Sequence, residues 1–280
     1  MPLLWLASFP KSGNTWMRAL LANYLAGGSA GVPLARLSDF AVSDATLAPY
    51  ERAAGRALAN ASVADIMPYK AKAHALLAPD PKALVFAKTH GALRRIGGVP
   101  TITPAVTAGA VYILRNPLDV TLSYADHYGI THAQAVDAMA SGSLTIKGRA
   151  DRAPEFLGDW SSHVRGWTTA EGLARLVLRY EDIAGDPAAA LRRALEFLRQ
   201  PVDAERLASA VAHSRFEALA NQEALGGFRE RSRNQAKFFR SGKAGQWRTD
   251  LAPDLVARVV AAHRDVMRDF GYLDDTGEPV

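Results

Sequence analysis

Short apolar runs alternate with longer stretches of helical spacing along this chain. Leu3-Leu4-Trp5-Leu6-Ala7 reads as a buried strand, followed from about Trp16 by a helix with Met17, Leu20, Leu21, Tyr24 and Leu25 on its apolar side. Ala83–Ala87, Ala110–Leu114 and Leu173–Tyr180 read as three further strands. Between and after them, Pro117–Tyr128, Pro154–Thr169 and Asp203–His213 have helical character. A further helix starts at Asp186-Pro187, with Asp as N-cap and proline at the first position, and buries Leu191, Leu195 and Leu198. The last helix, Pro253–Phe270, carries Leu255, Val256, Val259, Val260, His263, Val266, Met267 and Phe270 on one face, so His263 reads as structural. Strands alternating with helices predict an α/β fold, a doubly wound parallel sheet with helices on both faces, in one domain over residues 1–280.

Three regions carry weaker patterning. Residues 32–80 are Ala-rich, with prolines at 33, 49, 68 and 79. Short helices are expected there, over Ala48–Asn60 and Ala64–Leu77, as packing or as a cap on the acceptor side of a pocket. Gly91–Gly109 reads as a loop, and Gly129–Arg152 as a mobile one. Trp160, His163 and Trp167 recur on one helical face, which is core or pocket wall, core being the more ordinary reading.

Composition narrows the function classes. The chain has 280 residues, of which 49% are hydrophobic and 22% charged, enough for a sizeable core. It has no cysteine, which excludes disulfides, thiolate metal sites and a cysteine nucleophile. A formal charge of +5 suits a nucleic acid, a membrane surface or an enzyme gripping a polyanionic cofactor. No stretch approaches the ~20 apolar residues of a membrane span. The N-terminal apolar run is too short for a signal peptide and lacks a basic flank, so a cytoplasmic protein is expected.

The chemistry starts in the first turn. Leu3–Arg18 reads as strand, small-residue loop, helix start, an arrangement that binds anions through free backbone N–H groups and the helix dipole. Gly13 permits close approach, Lys11 supplies charge, and Ser12, Asn14 and Thr15 add donors. The same residues also describe an ordinary strand–turn–helix corner. An NTPase loop places lysine directly after glycine, whereas Asn14 follows Gly13 here. His90 follows a strand and stands two residues after Lys88, at the strand end where ligands collect in parallel sheets. Arg115 follows another strand, with Ser123 about two helical turns beyond; Arg115 either grips phosphate or pairs with Asp119. The strand ending in Glu181-Asp182 mimics a magnesium-binding motif but has no Walker lysine to serve. Residues 226–248 hold seven Lys or Arg against one Glu, a solvated basic loop, an RNA-binding stretch or a cofactor cover.

Four of these segments, in this order, resemble the soluble, cytosolic-type sulfotransferases that use 3′-phosphoadenosine 5′-phosphosulfate (PAPS), the expectation being a bacterial member. They are Pro10-Lys11-Ser12-Gly13-Asn14-Thr15-Trp16, Lys88-Thr89-His90, Arg115–Ser123, and Arg240-Ser241-Gly242 with Gly245 and Trp247. The resemblance implies a P-loop-like sulfotransferase fold and transfer of a sulfuryl group to a hydroxyl or amine of a small acceptor (EC 2.8.2 type). PAP (3′-phosphoadenosine 5′-phosphate) would be the product, and no metal would be required. It implies His90 as general base, with Lys11 and Lys88 catalytic beside it. The cofactor would be held by Lys11, Ser12, Gly13, Asn14, Thr15 and Trp16 at the 5′ end. Arg115, Ser123 and Arg240 would hold the 3′-phosphate, with Tyr180 and Phe216 at the adenine and Ser214, Phe239, Ser241 and Gly242 nearby. Ser241 stands where the family has lysine, and Gly91-Ala92-Leu93 replaces the Leu-Pro common in the animal enzymes. Phe9, His127 and Tyr128 are candidates for the acceptor pocket, whose occupant is not readable. Nucleic acid is not expected as a partner, and the family's dimer motif is not evident, so oligomeric state is open. The alternatives are a P-loop kinase and a catalytically inactive nucleotide- or RNA-binding protein of the same fold.

Overall fold

The computed structural model describes residues 2–28 and 30–280. Its strands in chain order are β1 (Leu3–Ser8), β2 (Ala41–Ser43), β3 (Val85–Thr89), β4 (Arg95–Ile96), β5 (Val99–Pro100), β6 (Thr107–Leu114), β7 (Thr145–Ile146), β8 (Glu155–Phe156) and β9 (Arg175–Arg179). Five of them form the central sheet, in the order β2-β3-β1-β6-β9. β1 pairs with β3 in parallel from Leu3↔Val85 to Ala7↔Thr89, and β2 pairs with β3 in parallel from Ala41↔Phe86. This is the expected α/β class, a central parallel sheet flanked by helices. Every residue of β1 is buried, as its unbroken apolar run requires of a central strand.

By contacts the chain divides into two compact units. The first comprises Met1–Phe9, Ala41–Tyr112 and Ala138–Val177. It carries the sheet up to the last residues of β6 and β9, and a core cluster of Leu47, Tyr50, Leu58, Ile66, Ala73 and Ala153. The second comprises Pro10–Phe40, Ile113–Asp137 and Leu178–Val280. In it helix Asn14–Ala26 packs on helix Ala204–His213, and helix Pro253–Asp269 packs on helix Pro117–Tyr128. Ala19, Ala22, Leu34, Leu37, Leu219 and Phe239 form a core cluster there. No helix among the described residues is long and apolar enough to cross a membrane.

The structure corrects several expected boundaries. The first helix starts at Asn14, two residues early, because Gly13 in the left-handed region turns the chain into it. β3 is displaced toward Lys88 and Thr89, so these lie in the strand itself and Leu84 is exposed. Region 32–80 contains the edge strand β2 as well as helices, and its first longer helix stops at Gly55 rather than Asn60. The loop expected over Gly91–Gly109 holds the β4–β5 hairpin, with positive φ at both Gly97 and Gly98 as a tight hairpin turn demands. Gly129–Arg152 is not a bare loop: it forms helix His132–Ala140 and β7, which pairs antiparallel with β8. The helix expected from Pro154 begins at Trp160, capped by Asp159. A further helix, Phe216–Gly226, has weak apolar periodicity and was not expected.

Candidate active site

In the first unit the chemistry gathers where β3 ends. His90 Nδ1 lies 2.9 Å from the carbonyl oxygen of Ser8. A carbonyl only accepts, so in the neutral ring Nδ1 carries the hydrogen and the lone pair belongs to Nε2. Nε2 has no hydrogen-bond partner among the described residues. Burial first, and then the Lys88 ammonium, hold the imidazole below the usual histidine range, at about 3, against the opposing pull of Glu155. The ring is therefore a neutral base at physiological pH, with its lone pair on a defined atom.

The backbone around His90 is pinned at each residue. His90 N–H donates to Glu155 Oε1 at 2.9 Å, and the His90 carbonyl accepts from His163 Nε2 at 2.9 Å. The Gly91 carbonyl accepts from Trp167 Nε1 at 3.0 Å. Thr89 Oγ1 donates to Asp44 Oδ2 at 3.1 Å, while Asp44 N donates to the Lys88 carbonyl at 2.9 Å. Glu155 is buried and ion-paired with Arg152. Asp44 is buried too, taking Lys70 Nζ at 3.0 Å on both oxygens, Tyr50 OH at 2.7 Å and His74 Nε2 at 2.9 Å. Burial alone would raise the Asp44 carboxyl, but Lys70, His74 and these hydrogen bonds outweigh it and hold it well below the usual range. Glu155, His163, Trp167 and Asp44 were not expected at this centre. The Trp160–Trp167 stripe is core, as its spacing suggests, and two of its polar atoms also fasten the His90 segment.

The second unit holds the anion-binding elements. Lys11 has φ +67° and Gly13 φ +98°, a non-glycine and a glycine both in the left-handed region. The helix from Asn14 has no side-chain cap and no acid of its own in its first turn, and the Glu230 carboxylate accepts from Thr15 Oγ1 there at 3.2 Å. Ser12 is 1% exposed, and its Oγ has no hydrogen-bond partner. A Cβ on Gly13 would lie 2.6 Å from Cδ2 of Tyr180. The Trp16 and Tyr180 rings are 5.8 Å apart, and the Arg115 guanidinium sits 4.1 Å from the Tyr180 ring centre. Arg115 Nη1 donates to the Lys11 carbonyl at 3.0 Å, while its buried Nε has no partner. Lys11, Gly13, Trp16, Arg115 and Tyr180 are thus brought together. Arg18, unnoticed in the sequence, is buried behind the loop, bonding Asn14, Thr15 and Glu230.

Arg115 does not pair with Asp119. The Asp119 carboxylate instead takes Gly245 N at 2.6 Å and Trp247 N at 3.1 Å, fixing the basic segment to helix Pro117–Tyr128. Arg115 Nη2 reaches the Lys243 carbonyl at 3.4 Å, and Lys11 Nζ lies 4.1 Å over the Phe238 ring. Phe239 meets Phe216 edge-on at 5.9 Å, and a Cβ on Gly242 would lie 2.4 Å from Phe216 Cδ2. Arg240 is exposed, its Nη2 3.4 Å from Gln246, and the Ser241 hydroxyl accepts from Lys243 N at 3.3 Å. Ser123 is half-buried on its helix. Ser214 is fully buried: its hydroxyl accepts from Asn23 and its carbonyl from Trp16 Nε1, so it positions Trp16. His127 Nδ1 is 2.8 Å from Gln235, and the Tyr128 carbonyl accepts from Asn234, so both are tied to the basic segment. Phe9 is buried in the first unit against His163.

Two of the unsatisfied buried groups in the second unit, Ser12 Oγ and Arg115 Nε, are donors, and Gly13 in the same loop leaves no room for a side chain. That set suits a nucleotide with phosphate groups. The sulfotransferase domain model matches residues 2–271, and the chain belongs to the sulfotransferase family. Mouse (Mus musculus) sulfotransferase 2B1 is 31% identical over 153 residues, 50% of this chain and 42% of that protein. Cytosolic sulfotransferase 17 of Arabidopsis thaliana is 27% identical over 179 residues, 58% of this chain and 50% of that protein. The chain spans about half the length of these curated relatives or somewhat less. Among solved structures, retinol dehydratase in a complex with retinol and PAP aligns with TM-score 0.67 and 19% identity, over 95% of this chain and 81% of that one. Mouse sulfotransferase SULT7A1 complexed with PAP aligns with TM-score 0.63 and 18% identity, over 99% and 86%. At that identity the structural likeness bears on the fold.

Proposed function

We propose that the protein transfers a sulfuryl group from PAPS to the hydroxyl, or amine, of a small-molecule acceptor. PAPS supplies the sulfuryl group and leaves as PAP. The observation that carries this reading is His90: a neutral imidazole whose Nδ1–H is held by the Ser8 carbonyl, leaving Nε2 to take the acceptor proton. As that proton goes to Nε2, the acceptor oxygen forms its bond to sulfur and the bond from sulfur to the 5′-phosphate oxygen breaks. Lys11 and Lys88 offset charge building on the bridging oxygen and the sulfonate. Ser12–Trp16 hold the 5′ end through backbone N–H groups and the Ser12 hydroxyl. Arg115, Ser123 and Arg240 hold the 3′-phosphate, Arg115 as a forked donor, and Ser241 leaves one cationic contact fewer than the family pattern. Trp16, Tyr180 and Phe216 take the adenine, with Phe239 and Gly242 shaping the cover over residues 226–248. Phe9, His127 and Tyr128 belong to the acceptor side, together with region 32–80.

We read the whole chain as one functional sulfotransferase domain acting in the cytosol, as the printed names of its plant relatives suggest. Calorimetry with PAP and AMP tests the nucleotide reading. PAP is expected to bind at least about tenfold more tightly, since two or more charge-assisted bonds go to the 3′-phosphate. Equal affinity for PAP and AMP removes the assignment. Labelled PAPS offered with a panel of phenols, sterols and sugars then identifies the acceptor.

A further inference from the structure

A polar pocket lies in the second unit, lined by chain neighbours of Arg115 and Tyr180 and by the end of the basic segment. It measures about 180 Å³ and is lined by Asn116, Asp119, Arg179, Glu181, Trp247 and Arg248, with Tyr272 at its wall. Its side-chain carboxylates are already engaged. The two Asp119 oxygens take Gly245 N and Trp247 N. Glu181 Oε1 takes Asn116 N at 2.9 Å, and its Oε2 takes the Tyr272 hydroxyl at 2.9 Å. Its donors are not. Trp247 is 8% exposed, and its indole Nε1 is buried with no hydrogen-bond partner. Arg179 Nε is likewise buried with none, 3.8 Å from a carboxylate oxygen that is already engaged. The Arg248 guanidinium has no acidic partner among the described residues. Arg179 and Arg248 are oriented by stacking on Tyr272 at 4.4 Å and on Trp247 at 4.7 Å.

Unpaired donor atoms beside engaged carboxylates favour a ligand that only accepts. We infer that this pocket binds a compact oxyanion, a phosphate, sulfate or carboxylate group, through Arg179, Arg248 and the Trp247 N–H. Planar guanidinium groups suit such oxyanions, and buried unpaired donors favour occupancy over emptiness. Arg115 and Tyr180 each adjoin a pocket residue in the chain, and Gly242 lies two residues before one, so the pocket and the proposed nucleotide site share their elements. The inference goes beyond the transferase reading and does not depend on it.

The test titrates inorganic phosphate into the full chain by calorimetry at constant ionic strength, with chloride as the balancing salt. It is run on the free protein and again at saturating PAP. Saturable phosphate binding should persist with PAP present and weaken at least tenfold in Arg248→Gln, an exposed position, with an unchanged melting curve as the check on folding. Arg179→Gln, checked for an unchanged melting curve, should weaken it similarly. Succinate and sulfate run in parallel separate the carboxylate from the inorganic sources. No saturable binding, binding abolished by PAP, or unchanged affinity in Arg248→Gln overturns the inference. A failure of PAP itself to bind sinks the nucleotide reading instead, while the Arg248→Gln comparison on the free protein still decides this one.

Discussion

His163 donates its Nε2 hydrogen to the carbonyl of His90 at 2.9 Å, and Tyr112 OH is 2.9 Å from its Nδ1. The carbonyl can only accept, so the hydroxyl must donate, and the ring is fixed in one neutral tautomer. Burial holds its pKa down at about 4, consistent with that neutral form. His163→Leu takes from the buried Tyr112 hydroxyl its acceptor and from the buried His90 carbonyl its donor, at a cost of about 2 kcal/mol. We expect a lower melting temperature and about a tenfold loss of kcat, because the segment carrying His90 loses one of its ties. Wild-type stability in this variant, measured by chemical denaturation, refutes the tie.

His90→Ala removes the Nε2 lone pair without touching any residue proposed to hold PAP. Transfer from labelled PAPS should fall at least ~100-fold, the usual worth of a positioned general base. PAP affinity by calorimetry should stay within a factor of two to three. Turnover unchanged from wild type takes the base role away from His90.

How much of this was legible in the sequence depended on whether a feature is local. β1, the turn at Gly13 and helix Pro117–Tyr128 are set by runs of neighbouring residues, and they stand where the pattern put them to within about two positions. Lys11, His90 and Arg115 stand beside those elements, so they could be named as candidates for the same reason. Asp44, Glu155 and Arg18 were missed because their partners are distant in the chain: Glu155 meets His90 across 65 positions, and Glu230 meets Arg18 across 212. A lone acid carries no periodic signal. Helix His132–Ala140 and strands β7 and β8 were missed because small residues and two-residue strands give little hydrophobic contrast.

Acid should weaken the fold. His74, His90 and His163 all have pKa values lowered below 6.5, burial being the largest cause in each. Between those lowered values and 6.5 the unfolded chain binds more protons than the folded one, so stability rises with pH there. The contribution is whole above pH 6.5 and is lost as pH falls from 6.5 toward about 4 for His163 and about 3 for His90. Melting temperature measured from pH 7.5 to pH 4 should fall mainly below 6.5. The acid limb of kcat/KM should likewise lie below the ordinary histidine value, and Lys88→Met should move it upward by removing the second-largest cause of the His90 shift. A limb at or above 6.5 in the wild type contradicts a lowered His90.

Asp44 is the anion that keeps Lys70 tolerable in the interior. Their side chains are 2% and 7% exposed, 3.0 Å apart. Asp44→Ala leaves the ammonium buried without a counter-charge, which costs about 3–5 kcal/mol when one partner of such a pair is removed. Asp44→Asn combined with Lys70→Met removes both charges and should regain most of that loss. Denaturant midpoints for the two variants decide it: equal destabilisation in both means that the charge pairing is not what Asp44 provides.

Gly13 is held at φ +98°, and a Cβ there would meet Tyr180 Cδ2 at 2.6 Å. Gly13→Ala therefore imposes two penalties. The left-handed backbone costs about 1–2 kcal/mol for a residue with a side chain, and the Tyr180 ring must move. That ring is stacked under Arg115 and edge-on to Trp16, so its displacement disturbs three of the groups proposed for the nucleotide at once. PAP affinity should drop at least about tenfold, a loss of ~1.4 kcal/mol or more in binding, while the far-UV circular dichroism spectrum stays that of the wild type. Gly55→Ala serves as the control: it also has positive φ, at +69°, but a Cβ there meets nothing within 4 Å. It should lower the melting temperature and leave PAP binding alone. If both variants bind PAP like the wild type, the Gly13 turn does not shape the nucleotide site.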